Sequence, residues 1–152
     1  MEYQSPKLAA DIIASNFNGK PEDALVLDVA CGPGQLPKLM NKHGFKHFVG
    51  IDCSKEMIKL ATETGLYEEL KEILLGPNPL PFKAGMFDVV AMISALQPNY
   101  VPLSILTELY QVTKPGGLIC VSKTNHTSDN NKSTVAVEKE LQSLEDKGFG
   151  FA

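Results

Sequence analysis

The chain has no arginine: its 14 basic residues are all lysines, set against 18 acidic ones for a net charge of -4. Arginine is the side chain that forks onto phosphates and guanine edges, and a negatively charged chain attracts no polyanion. Both absences argue against nucleic acid as a partner. Cysteine is scarce. Cys31, Cys53 and Cys120 are odd in number and widely spaced, fit no zinc pattern, and imply a reducing, cytoplasmic compartment. No apolar run approaches the ~18 residues of a membrane span. The opening MEYQSPKLAADIIASNF lacks the charged start and apolar block of a signal peptide. There is no internal repeat and no low-complexity tract. At 152 residues the length fits one domain with a real core.

What is present is an alternation of short apolar runs and helical patterns. SPKLAADIIASNF predicts a helix, with Ser5 as cap, Pro6 in the first turn, and Leu8, Ile12 and Ile13 as its apolar stripe. Strands are expected at 24–30, 47–52, 73–75, 86–94 and 118–124. Helices are expected at about 35–43, at 54–64 with Ser54 as cap, as a short piece near LYEELKE, at 102–113, and at about 133–147 with Val137, Leu141 and Leu144 on one face. KPGG reads as a turn. Near-continuous apolar strands alternating with helices mean a parallel sheet covered on both faces, an α/β doubly wound layer. Ligands bind such sheets at the carboxyl ends of the strands, where strand order reverses.

The stretch LVLDVACGPGQ (25–35) lies at that end of the first strand. Gly32 and Gly34 flank Pro33 between strand and helix. Glycine there allows positive φ and lets a ligand approach the backbone, and the helix start offers unpaired N–H groups. A ligand-free tight turn is the plainer reading of a lone Gly-x-Gly. Asp52 strengthens the ligand reading. It ends the second strand 20 positions after Gly32, where an acidic residue can accept both hydroxyls of an adenosine ribose. A dinucleotide fingerprint would carry a third glycine where Pro37 stands, and Pro33 removes an N–H from the loop; both argue against NAD and FAD.

Four stretches in order, LDVACGPG, GIDCS, PLPFKAGMFDVV and LTELYQVTKPGGLICVS, resemble the class I S-adenosylmethionine-dependent methyltransferases over about residues 24–124. A narrower likeness, to the Williams-Beuren syndrome chromosome region methyltransferase-like proteins, rests on LDVACGPG, GLYEEL, LGPNPLPF, ALQPNYVP, VTKPGGLIC and KTN. The resemblance implies a Rossmann-like parallel sheet of about five strands in the order 3-2-1-4-5, and S-adenosyl-L-methionine as cofactor. It implies that Ala30, Cys31, Gly32, Pro33 and Gly34 line the methionine moiety and that Asp28 orients its amino group through water. Asp52 would take the ribose hydroxyls, Cys53 and Met57 would pack on the adenine, and Ser94, Ala95 and Leu96 would border the methyl-donor side. Asn78 stands where the class often has an acidic residue for the adenine amino group, and Ala30 where the wider class has glycine.

Methyl transfer asks the protein to orient donor and nucleophile and to exclude water. Asn99, Tyr100, Lys123 and Asn125 are polar candidates near the acceptor, but no catalytic residue is assigned, and the acceptor, small molecule or protein side chain, is not readable. His43 and His47 sit in KHGFKH without other metal ligands and read as solvated. Asp88 matches an acidic position common in the family or simply opens a strand. Against the family pattern the chain reads as a single domain truncated at both ends and lacking the last two strands, so LICVSKT is expected to be a bare sheet edge open to self-association. A non-catalytic binding module with the same fold is the alternative function, and a nicotinamide-dependent oxidoreductase a more distant one.

Overall fold

The protein is represented by a computed structural model, which describes residues 5–76, 78–93, 103–127 and 130–146. The elements in chain order are α1 (Ser5–Asn16), β1 (Leu25–Val29), α2 (Gln35–Asn41), β2 (His47–Asp52), α3 (Lys55–Glu63), β3 (Tyr67–Glu72), β4 (Phe87–Met92), α4 (Leu103–Val112), β5 (Thr113–Thr127), β6 (Asn130–Glu138) and α5 (Leu141–Asp146). They form one sheet in the order β3-β2-β1-β4-β5-β6. The first five strands run parallel and β6 pairs antiparallel with β5. Strand order reverses between β1 and β4, so the loop after β1 opens at the switch point of the sheet.

Both faces of the central strands are buried, as their continuous apolar sequences require. On one face Leu27, Val29, Val49, Ile51 and Val90 pack with Leu106 and Leu109 of α4 and Leu144 of α5. On the other, Val26, Phe48, Val89 and Cys120 pack with Ala9, Ala10 and Ile13 of α1 and Leu36 and Met40 of α2. Asp88 opens β4, and its carboxylate accepts the Leu25 N–H at 2.9 Å and pairs with Lys114 at 3.2 Å. Its role is to fasten the start of β1 to β4. Among the described residues no helix is long and apolar enough to cross a membrane.

Several expectations are corrected. The buried stripe of α1 is Ala9, Ala10 and Ile13, while Leu8 is 44% exposed; the small alanines let the helix lie close to the sheet. LYEELKE is strand β3, not a short helix, and of the expected strand 73–75 only Leu75 bridges, to Asn78. Its Glu and Lys favour helix locally, but β3 pairs with β2 alone, and a charged strand suits an exposed sheet edge. The expected helix 133–147 is strand β6 followed by the short α5. In β6 Val135 and Val137 face the α1 side and Ala136 the other, a period of two, and Val137 therefore lies on the opposite face from Leu144. KPGG is not a free turn. It lies inside β5, where the pairing with β4 shifts register between Phe87 and Val89, so the extra residues form a bulge. The sheet thus has six strands, and β5 is paired on both sides. That removes the basis for self-association through a bare β5 edge. The expected end of the last helix and Pro102 fall outside the described residues.

Leu109→Ala removes a fully buried α4 side chain and should cost about 2–5 kcal/mol in urea unfolding. Leu60→Ala, at a residue 44% exposed on α3, should change stability by less than about 0.5 kcal/mol.

Candidate functional site

The loop after β1 is built from positive-φ residues in quick succession. Ala30 has φ 57°, Gly32 59° and Gly34 97°. An L side chain at positive φ is strained, which is the physical reason glycine serves well at position 30 and why Ala30 is a departure. The Cys31 N–H donates to the Ile51 carbonyl at 2.9 Å, holding the loop against β2. A side chain added at Gly32 would meet nothing within 4 Å. That glycine therefore borders open space, the property a ligand cradle needs. Gly34 is different: a Cβ there would lie 3.0 Å from Thr64 and 3.3 Å from Tyr67. Its role is packing, at the start of α2. Pro33 is exposed, and Pro37 sits in the first turn of α2, where a missing N–H costs nothing.

Asp52 joins two loops. Its Oδ2 accepts the Gly32 N–H at 2.8 Å and its Oδ1 accepts the Ser54 N–H at 2.9 Å. Ser54 in turn caps α3, its hydroxyl accepting the Met57 N–H at 3.2 Å. Asp52 is thus more engaged than its sequence position suggests. A carboxylate offers about four lone-pair sites, so one further bond per oxygen can still be accepted. Cys53 is exposed and Met57 half-buried at the start of α3, directly beyond this carboxylate.

Asp28 is 2% exposed, in the centre of the sheet. Its Oδ2 accepts the Tyr67 hydroxyl at 2.7 Å. Burial pushes its carboxyl up to about 7, with Tyr67 opposing the rise and the nearby Asp52 adding to it. Burial likewise pushes the Cys31 thiol up to about 12 and raises the Tyr67 and Cys120 groups further. Sequence reasoning assigned no part to Tyr67, because LYEELKE read as helix. A buried aspartate without a donor was the signal that could have prompted a search for one.

The structure brings Asp28, Ala30, Cys31, Gly32, Pro33, Gly34 and Asp52 together around one loop, with Cys53 and Met57 adjoining. Asn78 stands apart after β3, exposed, beside a depression of about 180 Å³ lined by Leu80 and by Ile105 and Glu108 of α4. Ser94, Ala95, Leu96, Asn99 and Tyr100 lie outside the described residues. Lys123 and Asn125 lie on β5. His43 approaches Asp11 of α1 at 3.0 Å and His47 pairs with Glu68 of β3. All three cysteines are free thiols.

A parallel sheet reversing between β1 and β4, with a glycine loop at one strand end and a carboxylate at the next, defines the Rossmann-like class of cofactor-binding folds. Residues 27–121 match the family model described as Methyltransferase domain, and the chain belongs to that family, within the class I S-adenosylmethionine-dependent methyltransferases. Human methyltransferase-like protein 27 is 40% identical over 147 residues, spanning 97% of this chain and 59% of its own length. The demethylmenaquinone methyltransferase of Lactococcus lactis subsp. lactis is 36% identical over 111 residues, 66% of this chain and 42% of its own length. The chain thus spans about half the length of these curated relatives. Among solved structures, an S-adenosylmethionine-dependent methyltransferase from Mesorhizobium loti shares the fold with TM-score 0.61 at 19% identity, over 86% of this chain and 64% of that one. The [4+2]-cyclase SpnF shares it with TM-score 0.60 at 24% identity, over 78% and 44%.

Two measurements check this geometry. Asp28 holds its proton more tightly when folded than at its ordinary value of 3.8. The folded state therefore carries the extra proton between about pH 4 and 7, and stability should fall as pH rises through that window, levelling above it, by a few kcal/mol in all. Asp28→Asn should abolish that slope in denaturant titrations at stepped pH. In the folded protein at mildly alkaline pH, iodoacetamide should label Cys53 and spare the buried Cys31 and Cys120, as read by peptide mass mapping.

Proposed function

We propose that this chain binds S-adenosyl-L-methionine and serves methyl transfer to a small-molecule or protein acceptor. The observation that carries the reading is Asp52. Its two oxygens fasten the glycine loop and the start of α3, and each can accept one further bond. The residues fit the group: Gly32 borders open space, Asp52 can accept a pair of vicinal hydroxyls, and Asp28 offers a buried acidic group to a cationic amine. In this reading Ala30 to Gly34 line the methionine moiety and Asp28 orients its amino group. Cys53 and Met57 pack on the adenine. Ser94, Ala95 and Leu96 are assigned to the methyl-donor side, and Asn78, which stands apart from the loop, to the adenine amino group, by the family resemblance alone. When bound, the sulfonium supplies the electrophilic methyl group; the chain's own work is to orient it and exclude water. No catalytic base is assigned.

Membership of a narrower group, the Williams-Beuren syndrome chromosome region methyltransferase-like proteins, is proposed on the stretches quoted above; the relative found at 40% identity carries the name methyltransferase-like protein 27. A cytoplasmic location is proposed from the three free cysteines. The second reading is a non-catalytic cofactor-binding or protein-interaction module. The fold is shared by the [4+2]-cyclase SpnF, so fold alone does not fix methyl transfer.

Calorimetry should show binding of S-adenosylmethionine and none of NAD; the reverse result would overturn the cofactor. Binding with no transfer of labelled methyl to any acceptor in extract would favour the second reading. Asp52→Ala should weaken cofactor binding by roughly tenfold to several hundredfold, since the loss of even one bond to a charged acceptor costs about 1.5–3 kcal/mol. Unchanged affinity in a folded variant would refute the ribose assignment.

A further inference from the structure

Tyr67 lies outside the glycine loop and outside the residues that the family resemblance assigns to the cofactor, yet its hydroxyl ends on Asp28. It belongs to β3, and Asp28 to β1, two strands away. With strands about 4.8 Å apart, the side chain must cross roughly 10 Å of sheet over the face of β2. It does so where β2 carries Gly50, the residue paired in register with Asp28. A Cβ at Gly50 would lie 2.6 Å from Cε1 of the ring and 2.9 Å from Cδ1. The other edge of the ring rests on the loop: a Cβ at Gly34 would lie 3.3 Å from Cε2. Two glycines thus clear a path for one tyrosine, which touches the loop with its ring and the buried carboxyl with its hydroxyl.

We infer that Tyr67 is a positioning residue of the cofactor site, acting through Asp28: its hydroxyl holds that carboxyl group in place and in the ionised form that receives a cationic amino group. The inference rests on the cofactor reading above. A phenol O–H donated to a carboxylate favours the ionised over the neutral acid. The titratable groups facing Asp28 are Tyr67 from β3, Asp52 from β2 and Cys31 from the loop. Of these only Tyr67 donates a hydrogen bond to the carboxyl among the described residues, and it alone opposes the effect of burial. Without it Asp28 keeps its proton to higher pH, and a bound ammonium faces a neutral acid.

The test has an arm that needs no ligand. In the free protein, the Asp28 carboxyl carbon is titrated by NMR in the unsubstituted chain and in Tyr67→Phe, with Asp28→Asn fixing the assignment. Tyr67→Phe should raise the midpoint, and in the unsubstituted chain the Tyr67 ring resonances should titrate with that same midpoint. The second arm measures S-adenosylmethionine affinity by calorimetry across neutral and alkaline pH. Tyr67→Phe should bind about tenfold more weakly near pH 7 and recover as pH rises. In the Asp28→Asn background the same substitution should change affinity less than about twofold, because the two residues act as one unit. An unmoved midpoint, ring resonances indifferent to Asp28, or an equal loss in both backgrounds would overturn the inference. The ring measurement uses no variant, so it decides even if Tyr67→Phe unfolds. If the unsubstituted chain binds no S-adenosylmethionine, the cofactor reading fails and Tyr67's role in that site fails with it; the ligand-free titration then reads only the hydrogen bond.

Discussion

A carboxyl group buried in the middle of a parallel sheet must find a donor, and Asp28 finds its donor two strands away. The consequences spread outward from that bond. Tyr67 reaches it from β3, which pairs with β2 although the composition of residues 67–72 favours helix. The path is clear only if β2 carries no side chain on that face at position 50. The ring then fills the space beside Gly34 and so bears on the start of α2. Four elements are tied to one hydrogen bond, which explains why an edge strand with exposed glutamates is nevertheless well placed.

Asp52 works on the other side of the loop by a different principle. Asp28 is buried and drawn toward neutrality, whereas Asp52 is half-buried and satisfied by two backbone N–H groups. The first group stores its acidity behind a tyrosine; the second spends part of its capacity holding the loop and keeps the rest at the surface. Asp52, fastened to the glycine loop through the Gly32 N–H, sets a carboxylate beside it, which disfavours an anionic ligand such as a pyrophosphate.

The sheet outside the site is more complete than a five-stranded layer. β6 caps β5 by antiparallel pairing and brings Val135 and Val137 onto the α1 face. The buried edge that results keeps the N–H and C=O groups of β5 satisfied. The bulge at KPGG lets β5 follow α4 without a separate turn.

Much of the molecule was legible in order along the chain. The apolar runs marked β1, β2, β4 and β5, Ser54 marked the start of α3, and the spacing from Gly32 to Asp52 marked the two loops that meet at 2.8 Å. Local pattern suffices there because a strand buried on both faces is apolar throughout and a cap sits next to what it caps. The sequence did not reveal β3, β6 or the bulge, whose residues satisfy no strong local rule: Glu and Lys are tolerated on an edge, and Val137 stands four and seven positions before Leu141 and Leu144, the spacing of a helical stripe. Nor did it reveal Tyr67. Residue types and their order determined the fold family and the candidate loop. The partner of Asp28, and the glycine that makes room for it, were decided only when three strands lay side by side, because contact across a sheet depends on register, which no single segment contains.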